Sequence, residues 1–315
     1  MKSDFVKAVI LFLILSFTIV SCGKKTDSAN TISISGAFAL YPMAVKWAEE
    51  YKKINPEIQI HISAGGAGKG MTDALSGMVD LGMVSRSVSA EETEKGAWYI
   101  AVTKDAVLPT INSSNPELKE LQLKGLKKSD FAKIFLTGEF TEWDKATGGS
   151  SKEKINVFTR SDACGAGEMW GKYMGKKQED IKGTGVFGDP GMADAIRKDK
   201  NSIGYNNIIY IYDINTKKKH EGLEVIPIDI NENGTIDPDE SFYNTIDDID
   251  KAIREGKYPS PPARDLYFVS KGKPLNKATT DFLKWILGDG QKFVKEGGYV
   301  ELPKANINEE LKKLN

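Results

Sequence analysis

Val157-Phe158-Thr159-Arg160-Ser161-Asp162-Ala163-Cys164-Gly165-Ala166-Gly167-Glu168 is the stretch on which the reading turns. Val157 and Phe158 close a strand, and from Met169 onward the pattern is helical. Between them an arginine, an aspartate and a run of small residues share one strand-to-helix junction. A planar guanidinium fork matches a tetrahedral oxyanion. A carboxylate beside it accepts a hydrogen bond from an anion that still carries a proton, and repels one that carries none. The same residue types also make a local Arg–Asp ion pair on a loop, and the stretch alone does not separate the two.

Upstream, strand and helix signals alternate. Thr31 to Ser35 reads as a short strand. Pro42 to Ile54 has helical spacing, with Val45, Ala48, Tyr51 and Ile54 on one face. Ile58, Ile60 and Ile62 alternate with Gln59, His61 and Ser63, the period of a half-buried strand. A glycine-rich turn, a helix from Met71 to Met78 and a strand from Asp80 to Val84 follow. This order predicts an α/β fold with a mostly parallel sheet. The loops Ser35-Gly36-Ala37, Ala64 to Gly70 and Ser85-Arg86-Ser87 each follow a strand. Ligands of open α/β sheets bind outside the carboxyl ends of strands, and helix N-termini favour anions. Ala67, Gly68 and Lys69 are therefore candidate anion-site residues, with Lys69 supplying charge. The glycine loop is not a nucleotide P-loop, because Gly68-Lys69 is followed by Gly70 where Ser or Thr would hold Mg²⁺.

The ends and the composition bound the rest. Lys2 and Lys7 precede an apolar run from Ala8 to Val20, shorter than the about 20 apolar residues of a membrane span. With Ile19-Val20-Ser21-Cys22 behind it, the run reads as a signal peptide (1–21) ending in a lipobox, and Cys22 as the lipidation site. Residues 22–30 read as a tether. Cys164 is then the one other cysteine, so no disulfide framework is expected, and the roughly 285 residues after the tether must hold themselves by a hydrophobic core. The formal charge of −1 gives no basic face for nucleic acid.

Further stretches make the pattern specific. Ser35-Gly36-Ala37 with Tyr41-Pro42, Asp80-Leu81-Gly82-Met83-Val84-Ser85-Arg86, Ser202-Ile203-Gly204-Tyr205, and Gly290-Gln291-Lys292-Phe293-Val294 with Gly298-Tyr299 join Arg160 to Ala166 in order. The chain resembles the phosphate-binding proteins of bacterial ABC phosphate importers, whose Arg-x-Asp-Gly-Ser-Gly-Thr motif is similar to Arg160–Ala166. The resemblance implies a two-lobed periplasmic-binding-protein (Venus-flytrap) fold with two hinge crossings, closing over one dehydrated anion. It implies that the backbone N–H groups of Leu40 and Tyr41, then Ser85 and Arg86, face the anion from lobe 1 (31–102 plus 265–315). Arg160, Asp162, Cys164, Gly165 and Ala166 would face it from lobe 2 (103–264). Here Cys164 stands where members often have serine, Ala166 and Leu40 where they have threonine, and Ala67 where serine is common. The implied role is capture without catalysis: inorganic phosphate is taken up by an exported, lipid-anchored monomer, in the periplasm or on the outer face of the cytoplasmic membrane, and passed to permease subunits. Sulfate, molybdate and tungstate stay open as ligands, as does a lipid-anchored enzyme that uses Cys164.

One constellation lies outside the resemblance. Asp229, Asn231, Asn233, Asp237 and Glu240 set oxygen side chains at positions 1, 3, 5, 9 and 12 of a calcium-loop pattern, with Gly234 at position 6. Thr235 would add its backbone carbonyl, and Ile236 an apolar anchor. Val225 to Ile228 ahead of it reads as a strand and Thr245 to Arg254 behind it as a helix, so a structural Ca²⁺ staple in lobe 2 is expected rather than an EF-hand sensor. A calcium-dependent surface adhesion or sensor lipoprotein is the rival from another class.

Overall fold

The protein is described by a computed structural model covering residues 28–315. Cys22, the leader and most of the tether lie outside the described residues. The strands are β1 (Thr31–Gly36), β2 (Gln59–Ala64), β3 (Leu81–Val84), β4 (Ala97–Asn112), β5 (Asn156–Arg160), β6 (Thr184–Val186), β7 (Ser202–Asn207), β8 (Leu223–Val225) and β9 (Ala263–Lys271). The longer helices are α1 (Tyr41–Ile54), α2 (Ala67–Ser76), α3 (Gly165–Tyr173), α4 (Gly188–Lys198), α5 (Ile246–Arg254), α6 (Lys277–Leu287) and α7 (Lys304–Leu314).

The strands join in the order β2-β1-β3-β9-β4-β7-β5-β6, with β8 also on β4. β1 pairs in parallel with β2 and β3, and β5 in parallel with β6 and β7. Among these strands, antiparallel pairing involves β4 or β9 each time and makes up half of the pairings, so the sheet is mixed and not mostly parallel as expected. The 16 residues of β4 are long for a strand, and the reason is that two sheets share it. Its first part pairs with β9, with a register shift between Ala101 and Thr103, and its second part pairs with β7 and β8. β4 and β9 are thus the two crossings between lobes.

Two cores sit on either side of them. One gathers Ile32, Trp47, Leu81 and Val102 with Leu266, Phe268 and Phe282. The other gathers Ala106, Phe131, Trp143, Trp170, Tyr205, Ile226 and Ala263. The change from one to the other falls between Val102 and Ala106 on β4 and between Ala263 and Leu266 on β9. The C-terminal stretch touches both, Tyr299 in the first core and Val300 in the second.

Several expectations shift by a few residues. α1 buries Met43, Ala44, Trp47 and Tyr51, not the stripe through Val45 and Ile54; Ile54 is 61% exposed. Burying Trp47 removes the most surface from water, so it turns the helix, and Trp47 Nε1 donates to Gly290 O at 2.9 Å. Val45 and Ala48 instead line a shallow groove with Ile58, Ile60 and Ile62. α2 and α3 each begin four residues earlier than expected, so glycine-rich segments read as turns are in fact first helical turns. Close packing demands those glycines. A Cβ on Gly70 would lie 2.4 Å from Met83 O and 2.9 Å from Gly36 Cα, and Gly36 itself holds φ +132°. This contact draws the start of α2 down onto the ends of β1 and β3.

Candidate functional site

The strand-end loops of the two lobes meet. Gly68 N–H, in the first turn of α2, donates to Ala163 O at 3.1 Å. Tyr210 Oη donates to Phe38 O at 3.0 Å, and Phe38 packs edge-on against Phe187 at 5.8 Å. Gly165 abuts Ser85 so closely that a Cβ there would lie 2.2 Å from Ser85 O. The described conformation is closed.

Arg160 ends β5 at this junction, and its side chain is 0% exposed. Its Nε and Nη2 donate to Asp162 Oδ1 and Oδ2 at 2.8 and 2.6 Å. Its Nη1 donates to Asp189 Oδ2 at 2.7 Å, and its guanidinium lies 5.7 Å from the Phe38 ring centre. Burial works against the charge, but the neighbouring Asp189 and Asp162 carboxylates outweigh it and hold the guanidinium protonated, above its ordinary range. Asp162 Oδ1 also accepts from Gly188 N–H at 3.1 Å. The Arg–Asp pair is therefore a buried, fixed unit and not a solvated turn. Gln178 braces the loop: its Nε2 donates to Asp162 O at 2.6 Å, and its Oε1 accepts from Cys164 N–H at 3.1 Å.

Cys164 caps α3, its Sγ accepting from Gly167 N–H at 3.2 Å. Burial pushes the thiol up to about 12, against the pull of Arg160. It is neutral at any physiological pH and is not poised as a nucleophile. Gly165 and Ala166 form the first turn of α3 beside it.

Other expected residues sit near the junction but are engaged elsewhere. The N–H groups of Leu40 and Tyr41, which the resemblance sets facing the anion, both donate to Ala37 O at 3.1 Å and close the turn into α1. Lys69 pairs along its own helix with Asp73, which also accepts from Ser35 Oγ at 2.6 Å. Arg86 is held by Glu92 Oε1 at 2.6 Å and reaches Glu168 Oε2 across the cleft at 3.0 Å. It straps the lobes together, whereas the resemblance sets it facing the anion. Ser85 is buried at the end of β3, and Ala67 opens α2. Gly68, Arg86, Ala163, Cys164 and Gln178 line a cavity of about 530 Å³ between the lobes, rimmed by Lys172, Lys176 and Lys177.

Several residues of the junction escaped the sequence reading. Asp189 lies in the first turn of α4, just after the end of β6, so the strand-end rule applied to Phe187-Gly188-Asp189 would have found it. Asn207 Nδ2 donates to Asp189 Oδ1 at 2.6 Å. Arg264 Nη1 donates to Gly165 O at 3.1 Å, and Arg264 Nη2 reaches Asp105 Oδ2 at 3.3 Å. Arg264 and Asp105 lie within the crossing strands, where no local pattern marks them.

The 229–240 loop packs on the 123–126 segment, with Asp229 N–H donating to Leu126 O at 3.1 Å. Asp229 accepts from Asn233 N–H and Gly234 N–H at 3.1 and 2.8 Å. Glu240 accepts from the N–H groups of Ile230, Asn231 and Asp237 at 2.8, 3.0 and 3.2 Å. Asn231 and Asn233 each donate through Nδ2 to Asp237 Oδ2 at 2.9 Å. Ile236 N–H donates to Leu123 O at 2.9 Å. Ahead of the loop the strand stops at Val225, and Ile228 makes only an isolated bridge to Leu126. Among the described residues no group of three or more His, Cys, Asp or Glu side chains is gathered to hold a metal ion.

A shared sheet that crosses twice between two cores, with strand-end loops closed over a buried arginine, defines the class of two-lobed periplasmic binding proteins. Residues 23–290 match the family model of the PBP superfamily domain, and the chain belongs to that family. The phosphate-binding protein PstS of Xylella fastidiosa (strain Temecula1 / ATCC 700964) is 26% identical, with 96% of this chain and 96% of that protein covered. PstS of Bacillus subtilis (strain 168) is also 26% identical, with the same coverage of 96% and 96%. A putative phosphate ABC transporter substrate-binding protein from Clostridium perfringens, solved with bound phosphate, superposes with TM-score 0.71 at 22% identity, covering 87% of this chain and 100% of that one. An ABC-type phosphate transport receptor from Vibrio cholerae gives TM-score 0.62 at 19% identity, covering 86% and 100%. Among the described residues no helix is long and apolar enough to cross a membrane.

Proposed function

We propose that this protein captures phosphate between its lobes and delivers it to an ABC importer, and that it is exported and held at the membrane by lipid on Cys22. The observation that carries this reading is the fully buried Arg160 guanidinium, set where strand-end loops of both lobes meet. The N-termini of α2 and α3 flank it, and such termini add unpaired N–H groups and positive potential that suit an anion. The names of the relatives, and the phosphate bound in the Clostridium perfringens structure, point to phosphate within the oxyanion class. Ala67, Gly68, Ser85, Arg160, Asp162, Cys164, Gly165 and Ala166 form the proposed pocket wall, the backbone serving where usual hydroxyls are replaced. The lobes are taken as 31–102 plus 265–315 and 103–264, acting as a monomer. Phosphorus analysis of the anion that co-purifies, followed by calorimetry with phosphate, sulfate, molybdate and tungstate, tests the reading. Phosphate bound tightly and in preference to the others is expected, and a chain that ignores phosphate while binding another oxyanion sinks it.

The 229–240 loop is proposed, separately, as a structural calcium site. Spacing supports it: Asp229, Asp237 and Glu240 are joined by the amide oxygens of Asn231 and Asn233 and the carbonyl of Thr235, hard oxygen donors of the kind calcium takes. Its test is the melting temperature in Ca²⁺ against chelator.

A further inference from the structure

We infer that Arg264 and Asp105, a pair on the two hinge strands, set the net charge of the buried site and so decide which ionisation state of an oxyanion it admits. The inference rests on the anion-capture reading above. Arg264 lies on β9 and Asp105 on β4, 5% and 2% exposed. Arg264 Nη2 donates to Asp105 Oδ2 at 3.3 Å and to Asn207 Oδ1, while Nη1 donates to Gly165 O at 3.1 Å in the first turn of α3. Asn207 passes the chain to Asp189 at 2.6 Å, and Asp189 receives Arg160 at 2.7 Å. One continuous hydrogen-bonded path joins the hinge strands to the arginine of the strand-end loop. Arg264 Nε is buried without a hydrogen-bond partner, an unused donor on a side chain that already touches the site.

The charge count is uneven. Two guanidiniums, Arg160 and Arg264, face three carboxylates, Asp105, Asp162 and Asp189. Arg86 and Lys69 at the rim do not offset this, because they meet three carboxylates of their own, Glu92, Glu168 and Asp73. A fully deprotonated dianion therefore approaches a cluster that is already net negative, in a dry site where water screens little. An anion that brings a proton is tolerated better, and so is any anion once one carboxylate is neutral.

Asp105 is the carboxylate disposed to become neutral. Burial pushes it up to about 6, Arg264 and the Ala106 and Ile208 N–H groups oppose this, and Asp189 adds to it. Tyr210, Tyr258 and Tyr299 lie within electrostatic reach of Asp105, their hydroxyls donating to Phe38 O, Val107 O and Ala39 O, and burial keeps all three phenols neutral, above their ordinary range. The sign follows. Above about pH 6 Asp105 is charged and the cluster is net negative; below it Asp105 is protonated and the cluster is neutral.

Sulfate stays a dianion across this range while phosphate titrates within it, so sulfate reads the protein's charge alone. Calorimetry on the wild-type protein should show sulfate affinity rising about tenfold from about pH 8 to about pH 5. Asp105→Asn should bind sulfate about tenfold tighter than wild type at about pH 8 and lose most of the pH dependence. Arg264→Gln should weaken both sulfate and phosphate, and the double variant, which restores the wild-type charge, should return to within about threefold. A merely structural pair would move both single variants in the same direction, so opposite signs are the diagnostic result. The wild-type pH series stands even if a variant folds poorly. Phosphate binding by wild type with no pH effect on sulfate, or with Asp105→Asn unchanged, overturns this inference alone. Absence of any oxyanion binding by wild type and variants overturns the anion-capture reading, and this inference with it.

Discussion

Arg160 shows what one residue contributes. Its fork engages two carboxylates, Asp162 of its own loop and Asp189 in the first turn of α4, so it fixes the strand-end segment while keeping its charge in a dry place. The pairing that looked ambiguous in sequence is an ion pair buried where loops of both lobes meet. Cys164 beside it is the opposite case, a reactive residue type placed so that it does not react. Its thiol is held up to about 12 by burial and serves as a helix cap. Iodoacetamide at about pH 8 should therefore alkylate the folded protein about a thousandfold more slowly than the unfolded chain, followed by mass spectrometry. Cys164→Ser should keep both anion binding and melting temperature, because a hydroxyl caps at least as well as a sulfur. Labelling at the rate of a free thiol would show that the site is open or the thiol activated.

At the level of elements, what could be read ahead was whatever has a local period. β1, α1, β2 and β3 were found because alternation and helical spacing are written in adjacent residues. The starts of α2 and α3 were not, because Gly66 to Gly70 and Cys164 to Gly167 carry no apolar period, and their helicity comes from packing against β3 and Gln178. Asp105 and Arg264 were invisible for a different reason: their partners are 159 residues apart in the chain. The 229–240 loop was legible as a pattern, and the structure sharpens how it must be tested. Glu240 accepts three backbone N–H bonds, so Glu240→Ala should cost about 1–3 kcal/mol even in chelator. The informative quantity is the increment: Ca²⁺ at about a hundredfold excess over its Kd should raise the wild-type melting temperature by about 5 °C and leave Glu240→Ala unmoved. A wild-type melt identical in Ca²⁺ and chelator removes calcium from the account and leaves a self-satisfied turn.

For the whole molecule, function depends on whether the lobes can close, and closure depends on residues that have no side chain. Gly68 and Gly165 sit where the two sets of loops touch. A Cβ on Gly165 would fall 2.2 Å from Ser85 O and 2.3 Å from Ser85 Oγ, both on the opposite lobe. Gly165 lies in the first turn of α3 and carries no strained φ, so alanine there suits the helix better than glycine does, by up to about 1 kcal/mol. Gly165→Ala therefore separates folding from closing. It should melt no lower than wild type without ligand, since neither core is disturbed. It should lose anion affinity by at least about a hundredfold, because the closed state that surrounds the ligand is wedged apart. Small-angle scattering supplies the independent readout: saturating phosphate should compact the wild type and leave the variant extended. Gly66→Ala is a poorer probe, since Gly66 holds φ +91° and would strain its own lobe as well. A Gly165→Ala protein that contracts and binds as tightly as wild type would mean that the contact between α3 and β3 is not required for capture. The anion would then be held by one lobe alone, with Arg160 reaching it in the open form.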